Sequence, residues 1–480
     1  MKDRKISIAL SSLNIYELNS FIKFVQSPYF NVNQSIAQFA LVITEAIKNG
    51  NLPKLKHQDV WKQVYNNEPY NNQKFLKLNS DLTKLLEGFL AQKEMESSES
   101  LMTNLKLEGA KKRNLENLYS GIISEAERLQ KSEFNQSADY YFTKYQIEKN
   151  LFSLKTENEK KNEKFEITSA LNIHDIVENL DIFYVAEKLK LYCTLLSWKK
   201  MYKLNIEMEN MEEILSKATR APYNQIPPIN IYYTIHLTYI EDENIINYYQ
   251  LRSLMKKFIH LFPKSEQRNI YQTAISYCIN KGNKNIALFH KESFEIYKEA
   301  LLNNTLIVND EILVTTFRNI VPIALRVEEF SWAESFIHDY AKYVDEKYRV
   351  NAVEFSLARL EFYRKNYGKV LEHLYKVSYE DVWYNLNTKT LQIASYYELD
   401  EFDALESLLQ SFKMYIRREK SLSTDRKTHY LHLIKFTSAL MKINHRDQQK
   451  LLKLKNEIET TQGVVSKPWL IEKVDQLIKK

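Results

Sequence analysis

FSWAESFI (330–337), YGKVLEHL (367–374) and FDALESLL (402–409) carry one signature three times. An aromatic residue opens each segment and apolar residues follow three and seven positions on: Phe330, Ala333, Ile337; Tyr367, Val370, Leu374; Phe402, Leu405, Leu409. That spacing sets all three side chains on one stripe of an α-helix, which predicts a buried stripe. The opening aromatics lie 37 and then 35 residues apart. A helix recurring at that interval predicts helical hairpins packed in tandem.

The composition of the 480-residue chain agrees. Length alone suggests about three domains, but a stack of hairpins, each touching its neighbours, runs on as one body. Seven glycines and nine prolines are few, which disfavours folds rich in tight hairpins and predicts that few positions need positive φ. Tyrosine, at 32 residues, suits helix faces that are apolar at the base and wet at the tip. Cys193 and Cys278 have no CxxC partner, so cysteine builds neither a disulfide framework nor a zinc site, and both read as buried thiols. The N-terminal stretch MKDRKISIALSSLNIYEL contains no secretory apolar core, and no apolar run reaches the length of a membrane span. Cytoplasm is the expected compartment.

Working outward, residues 1–92 read as a small N-terminal helical domain. Asn14 with Glu17 forms a capping box ahead of Leu18, Phe21, Ile22 and Val25, and Ser27-Pro28 ends that helix. Ile36, Phe39, Ala40, Ile43 and Ile47 predict a second helix closed by Gly50. A short helix around Trp61 follows, then one starting near Asn71 with Phe75, Leu78, Leu82, Leu85 and Phe89. The aromatic loops Ser27–Asn31 and Glu68–Asn71 are expected to anchor on the core. Residues 93–229 read as helical hairpins leading into the stack, with Leu180, Phe183, Tyr184, Leu191 and Tyr192 on one face. KTENEKKNEK (155–164) reads as a solvated turn. Residues 230–480 read as repeats. There Pro322 predicts a kink or break in its helix, and a last helix bearing Val464, Trp469, Leu470, Val474 and Leu477 predicts a cap.

Tyr248, Leu251, Met255, Phe258 and Pro263, at relative positions 0, 3, 7, 10 and 15, resemble the second helix and terminating proline of a tetratricopeptide repeat, whose period is ~34 residues. Ala358 and Tyr396 stand where its first helix takes a small and an aromatic residue. This hairpin is expected to be followed by a longer one, from Ser265 to Leu302, turning at Lys281-Gly282-Asn283. The resemblance covers roughly residues 230–445. It implies an all-α, tetratricopeptide-like helical-hairpin solenoid behind the N-terminal domain. The chain is also similar to bacterial helical-repeat proteins of unassigned function, through SPYFN (27–31) and the tryptophan-bearing last helix, a likeness that implies no activity.

For chemistry, no two glycines lie within ten residues of each other, so phosphate-cradling loops are excluded, and HExxH, GxSxG and DxDxDG strings are missing. Asp425, His429 and His432 share a helix face at metal-ligand spacing, but an exposed polar face is the stronger reading. His338 and His373 read as packed. No catalytic set, metal or cofactor is predicted, so the chain is expected not to be an enzyme. Charge is uneven: residues 411–480 hold 16 basic and 7 acidic side chains, a net +9, whereas 93–410 hold 40 and 47, a net −7. Arg417, Arg418, Lys420, Arg426 and Lys427 form the densest basic cluster and are the candidate partner-binding residues. The expected function is a protein-binding scaffold or adaptor whose partner is a protein or acidic peptide segment. The alternative is a nucleic-acid-linked regulator using the N-terminal domain or the basic C-terminal segment.

Overall fold

The computed structural model describes all residues except 1–3, 67, 133–135, 162–171, 203, 285, 379–380, 445 and 480, and leaves out the side chains of 130–132 and 155–161. The described chain is all-α: 23 helices (α1–α23) and one two-stranded antiparallel ladder, β1 (Ile307–Val308) with β2 (Glu311–Ile312). No described helix is long and apolar enough to cross a membrane. The chain divides into two compact units, Met1–Tyr233 and Thr234–Lys480.

The first unit opens with α1 (Lys5–Ser11), α2 (Ile15–Gln26), α3 (Gln34–Lys48), α4 (His57–Tyr65) and α5 (Asn72–Ser97). Phe21, Phe39, Trp61, Phe75 and Phe89 meet in one apolar cluster. Local sequence sets the ends. Asn14 accepts from the Glu17 N–H while the Glu17 carboxylate accepts from Asn14 N–H, completing the capping box, and Gly50 takes φ +66° behind α3. α1 carries Ile6 and Leu10 into this core, and α5 carries the chain past residue 92.

Farther on, α8 (Ala138–Lys161) packs along α9 (Ile173–Tyr202). Residues 155–161, read as a solvated turn, continue α8; 162–164 lie outside the described residues. The buried stripe of α9 is Ile182, Val185, Ala186, Leu189 and Cys193, while Leu180, Tyr184 and Leu191 are exposed. The helix is apolar on more than one side, so period alone could not say which side faces the core.

In the second unit, α12 (Ile245–Phe258), α13 (Lys264–Asn283) and α14 (Leu288–Leu302) lead into α15 (Val314–Arg326), α16 (Phe330–Tyr340), α17 (Glu346–Tyr363), α18 (Tyr367–Tyr375), α19 (Val382–Glu398) and α20 (Phe402–Arg418). Phe330, Tyr367 and Phe402 are each the first residue of their helix. The residues three and seven positions on are buried, whereas the opening aromatics lie at the margin and Phe402 is exposed. The turn before each is the same. Glu328, Lys365 and Asp400 take positive φ, and the next N–H bonds back to Ala324, Glu361 and Tyr396, the Schellman closure of a helix. Neither β-branched nor glycine, these three bear the strain of the left-handed region in a register that tightly fixes the hairpin. Among the described residues ten non-glycine positions adopt positive φ, five of them asparagine, so scarce glycine did not mean few such positions; Asn tolerates this region.

Two further differences are local. α13 runs through Lys281-Gly282-Asn283, and the turn comes after it; Gly282 lets the His290 ring approach the helix backbone. α15 is helical on both sides of Pro322 and shows no break, because Ile320, Val321, Ile323 and Ala324 around it are held in the core. α23 (Lys467–Lys479) buries Trp469, Leu470 and Val474 in one cluster with α20, α21 (Thr424–Lys442) and α22 (Gln448–Thr460). Trp469 Nε1 donates to Glu398 Oε1 at 2.9 Å, and Lys473 Nζ pairs with the same oxygen at 2.6 Å.

Candidate functional site

The basic cluster occupies the turn between α20 and α21. Leu405, Leu409, Phe412 and Ile416 bury one side of α20, which leaves Arg417 and Arg418 exposed in its last turn, where the helix dipole favours cations. Glu419 closes the helix through its N–H to Tyr415 O. Its carboxylate accepts from Ser421 N at 2.9 Å and Ser421 Oγ at 2.7 Å; these bonds, then Tyr415 and Lys427, hold its pKa below the usual range. Leu422 is buried as the plug of the turn, and Ser423 Oγ accepts from Arg426 N at 3.3 Å as the N-cap of α21. Lys420 and Arg426 are exposed and Lys427 half-buried. Ion pairs among the described residues include none of the five cations, although the Glu419 carboxylate feels Lys427 within the turn, so the turn presents an excess of positive charge. A shallow depression lined by Met414, Tyr415, Arg418 and Glu419 opens beside it.

The neighbouring histidines have structural roles. The His429 ring lies against Gly463, whose φ of +63° and lack of Cβ permit the approach, and His432 Nδ1 donates to Gly463 O at 3.2 Å. Together they clamp the turn before α23. Asp425 sits in the first turn of α21, and among the described residues no group of three His, Cys, Asp or Glu side chains could hold a metal ion. His373 Nδ1 meets Glu354 Oε2 at 2.7 Å. His338, expected to be packed, is exposed.

The two aromatic loops of the first unit behave differently. Glu68–Asn71 is anchored: Glu68 O accepts from Trp61 Nε1 at 2.8 Å and Tyr70 packs edge-on to Trp61. In Ser27–Asn31, Phe30 stacks on Phe24 at 4.0 Å and Asn31 Nδ2 donates to Val25 O, but Tyr29 is 88% exposed. A second exposed apolar feature lies on α9, where Val177, Tyr184, Leu191 and Trp198, spaced by seven, all face solvent. Both cysteines are buried thiols, and burial pushes the Cys278 thiol up to about 12.

One cluster leaves almost no trace in the sequence. Arg318 of α15 lies over the Trp383 ring at 4.0 Å and near Tyr384 at 5.1 Å. Phe355 of α17 packs edge-on to both rings, at 5.3 and 5.7 Å, and carries Arg359 over its own face at 5.3 Å. These residues stand far apart in the chain and form no motif. The only hint was that α15 contains two arginines and no acid.

Comparisons with protein-family models, with curated proteins and with solved structures find no match for the chain.

Proposed function

We propose that the chain is a non-enzymatic, cytoplasmic protein-binding scaffold or adaptor. In this reading residues 1–92 form an N-terminal domain, 93–229 lead into the stack, and 230–480 form a tetratricopeptide-like solenoid capped by α23. The repeated Schellman turn and the packing of α15 on α17 and α17 on α19 support the solenoid.

The observation that carries the protein-binding reading is the exposed apolar row on α9. Four large side chains spaced by seven are the spacing at which one helix receives another, and an apolar row of that length facing water is the mark of a protein contact. A phosphate backbone gains nothing from it. Arg417, Arg418, Lys420, Arg426 and Lys427 then supply a second contact, for an acidic segment of the partner.

The experiment is binding of the recovered partner, and of labelled DNA and RNA, across a salt series. It compares the wild-type chain with Tyr184→Asp/Leu191→Asp and with Arg417→Glu/Arg418→Glu. Protein binding lost in the first variant and weakened in the second is the expected result. Nucleic-acid binding with a steep log–log salt slope, roughly 0.9 per phosphate neutralised, abolished by the arginine reversal, would replace this reading with the nucleic-acid-linked regulator.

A further inference from the structure

α9 carries its charge in two blocks. Residues 173–187 hold Asp175, Glu178, Asp181 and Glu187 and no lysine or arginine, whereas 188–202 hold Lys188, Lys190, Lys199 and Lys200 and no acid. The boundary falls between Glu187 and Lys188. The exposed apolar row is centred on the same point: Val177 and Trp198 lie equally far from it, as do Tyr184 and Leu191. Ile173 and Tyr202, both exposed, extend the row outward by equal distances. The other side of the helix is occupied, with Val185, Ala186, Leu189 and Cys193 buried and with α8 and α10 (Met211–Ala218) packed on it. Some of the charge is spent locally: Asp181 pairs with Lys217 of α10 at 2.7 Å and Glu187 with Lys190 at 3.1 Å. Ion pairs among the described residues include none to Asp175, Glu178, Lys199 or Lys200, so each end of the helix keeps the sign of its block.

A helix whose apolar row and charge reversal share one midpoint is complementary to itself when turned end for end. We propose that α9 is a self-association surface, on which a second copy of the chain lays its own α9 antiparallel. The two-fold axis passes at the boundary between Glu187 and Lys188, and the contact is isologous. In that register Val177 meets Trp198 of the second copy, Tyr184 meets Leu191, and Ile173 meets Tyr202. Each acidic half then lies along a basic half, with Glu187 beside Lys188 of the second copy and Asp175 at the same level as its Lys200. From 177 to 198 the row runs roughly 32 Å at the rise of an α-helix, three heptads of a helix-to-helix seam. A parallel alignment would set acid against acid and lysine against lysine. A helix of another protein would have to bring the same spacing and both charge blocks, which a second copy brings by symmetry. The proposal rests on the reading of the α9 row as a protein contact and names what fills it; the basic turn after α20 takes no part.

The test is sedimentation equilibrium of the full-length chain at rising concentration. The expected species is a dimer, twice the 57.1 kDa of one chain. Tyr184→Asp/Leu191→Asp should weaken self-association about a hundredfold or more, with circular dichroism and thermal unfolding at wild-type values because both side chains are exposed. Should that variant fold poorly, Glu187→Lys replaces it. This change sets lysine against lysine across the axis and is expected to weaken the dimer about tenfold, and adding Lys188→Glu should restore it. Orientation is read by oxidative cross-linking: Val177→Cys mixed with Trp198→Cys should give a covalent dimer, and neither variant alone should. The native Cys193 and Cys278 are buried and stay out of the reaction. A dimer that survives Tyr184→Asp/Leu191→Asp, cross-linking of Val177→Cys with itself, or no cross-link in the mixture would overturn the antiparallel contact. A wild-type chain that stays monomeric overturns it as well. If Tyr184→Asp/Leu191→Asp then still abolishes binding of the recovered partner protein, the protein-contact reading of α9 stands without a second copy; if that binding is unchanged, both fall.

Discussion

Arg252 and Arg359 belong to helices of the same unit and meet opposite surroundings. Arg252, on α12, is 7% exposed and grips Glu299 of α14 with two bonds, Nη1 to Oε2 at 3.0 Å and Nη2 to Oε1 at 2.6 Å. Glu292 adds a longer contact to its Nε at 3.8 Å and accepts from the Tyr248 hydroxyl at 2.8 Å. Burial works against the Arg252 charge, and the Glu299 bonds together with the charges of Glu299, Tyr248 and Glu292 more than offset it, so its pKa rises. For Arg359 burial is not offset and the pKa falls. One arginine is used inside the protein as a helix-to-helix tie. The other has no ion pair among the described residues. The difference separates a charge that the fold pairs with an acid from a charge that it leaves to an aromatic face.

The largest expected effect falls on the tie. Glu299→Ala strands the buried Arg252 charge and should destabilise the protein by about 3 kcal/mol, the low end for a broken buried pair because Glu299 itself is partly open to water. Thermal unfolding measures this, and a loss under about 1 kcal/mol would remove the contrast between the two arginines. A smaller loss, about 1–2 kcal/mol, is expected for Tyr248→Phe, which deletes one charge-assisted bond to Glu292 and keeps the ring stacked against Tyr277. The smallest effect belongs to the other side of the comparison. Arg359→Met should change stability by no more than about 0.5 kcal/mol, and in the stabilising direction if repulsion from Arg326 and Arg318 dominates. A destabilisation as large as that of Glu299→Ala would show that Arg359 is structural after all.

What was legible in the chain is what local chemistry encodes. The capping box at Asn14, the stop at Ser27-Pro28, the Gly50 closure and the buried positions three and seven residues after Phe330, Tyr367 and Phe402 depend on residues within two helical turns of one another, so their pattern survives in one dimension. The basic turn from Arg417 to Lys427 was legible for the same reason, since its charges are sequence neighbours. Where period alone had to choose, as on α9, it mixed the exposed Leu180, Tyr184 and Leu191 with the half-buried Phe183 and Tyr192, because an apolar helix offers more than one stripe and its packing partner α8 decides between them. Pro322 predicted a kink or a break, and the chain stays helical on both sides of it.

The sequence by itself therefore determined the helical class, the hairpin interval, most helix ends and the uneven charge. Tertiary structure alone decided which acids are spent on which cations. Glu292 and Glu299 reach Arg252 across 40 and 47 residues of chain, and Glu398 reaches Trp469 and Lys473 across more than 70. Arg318, Arg359 and Trp383 come together from three separate helices. Charge pairing acts through space over a few ångströms, so an unpaired cation is a property of the folded arrangement and cannot be read from the order of residues.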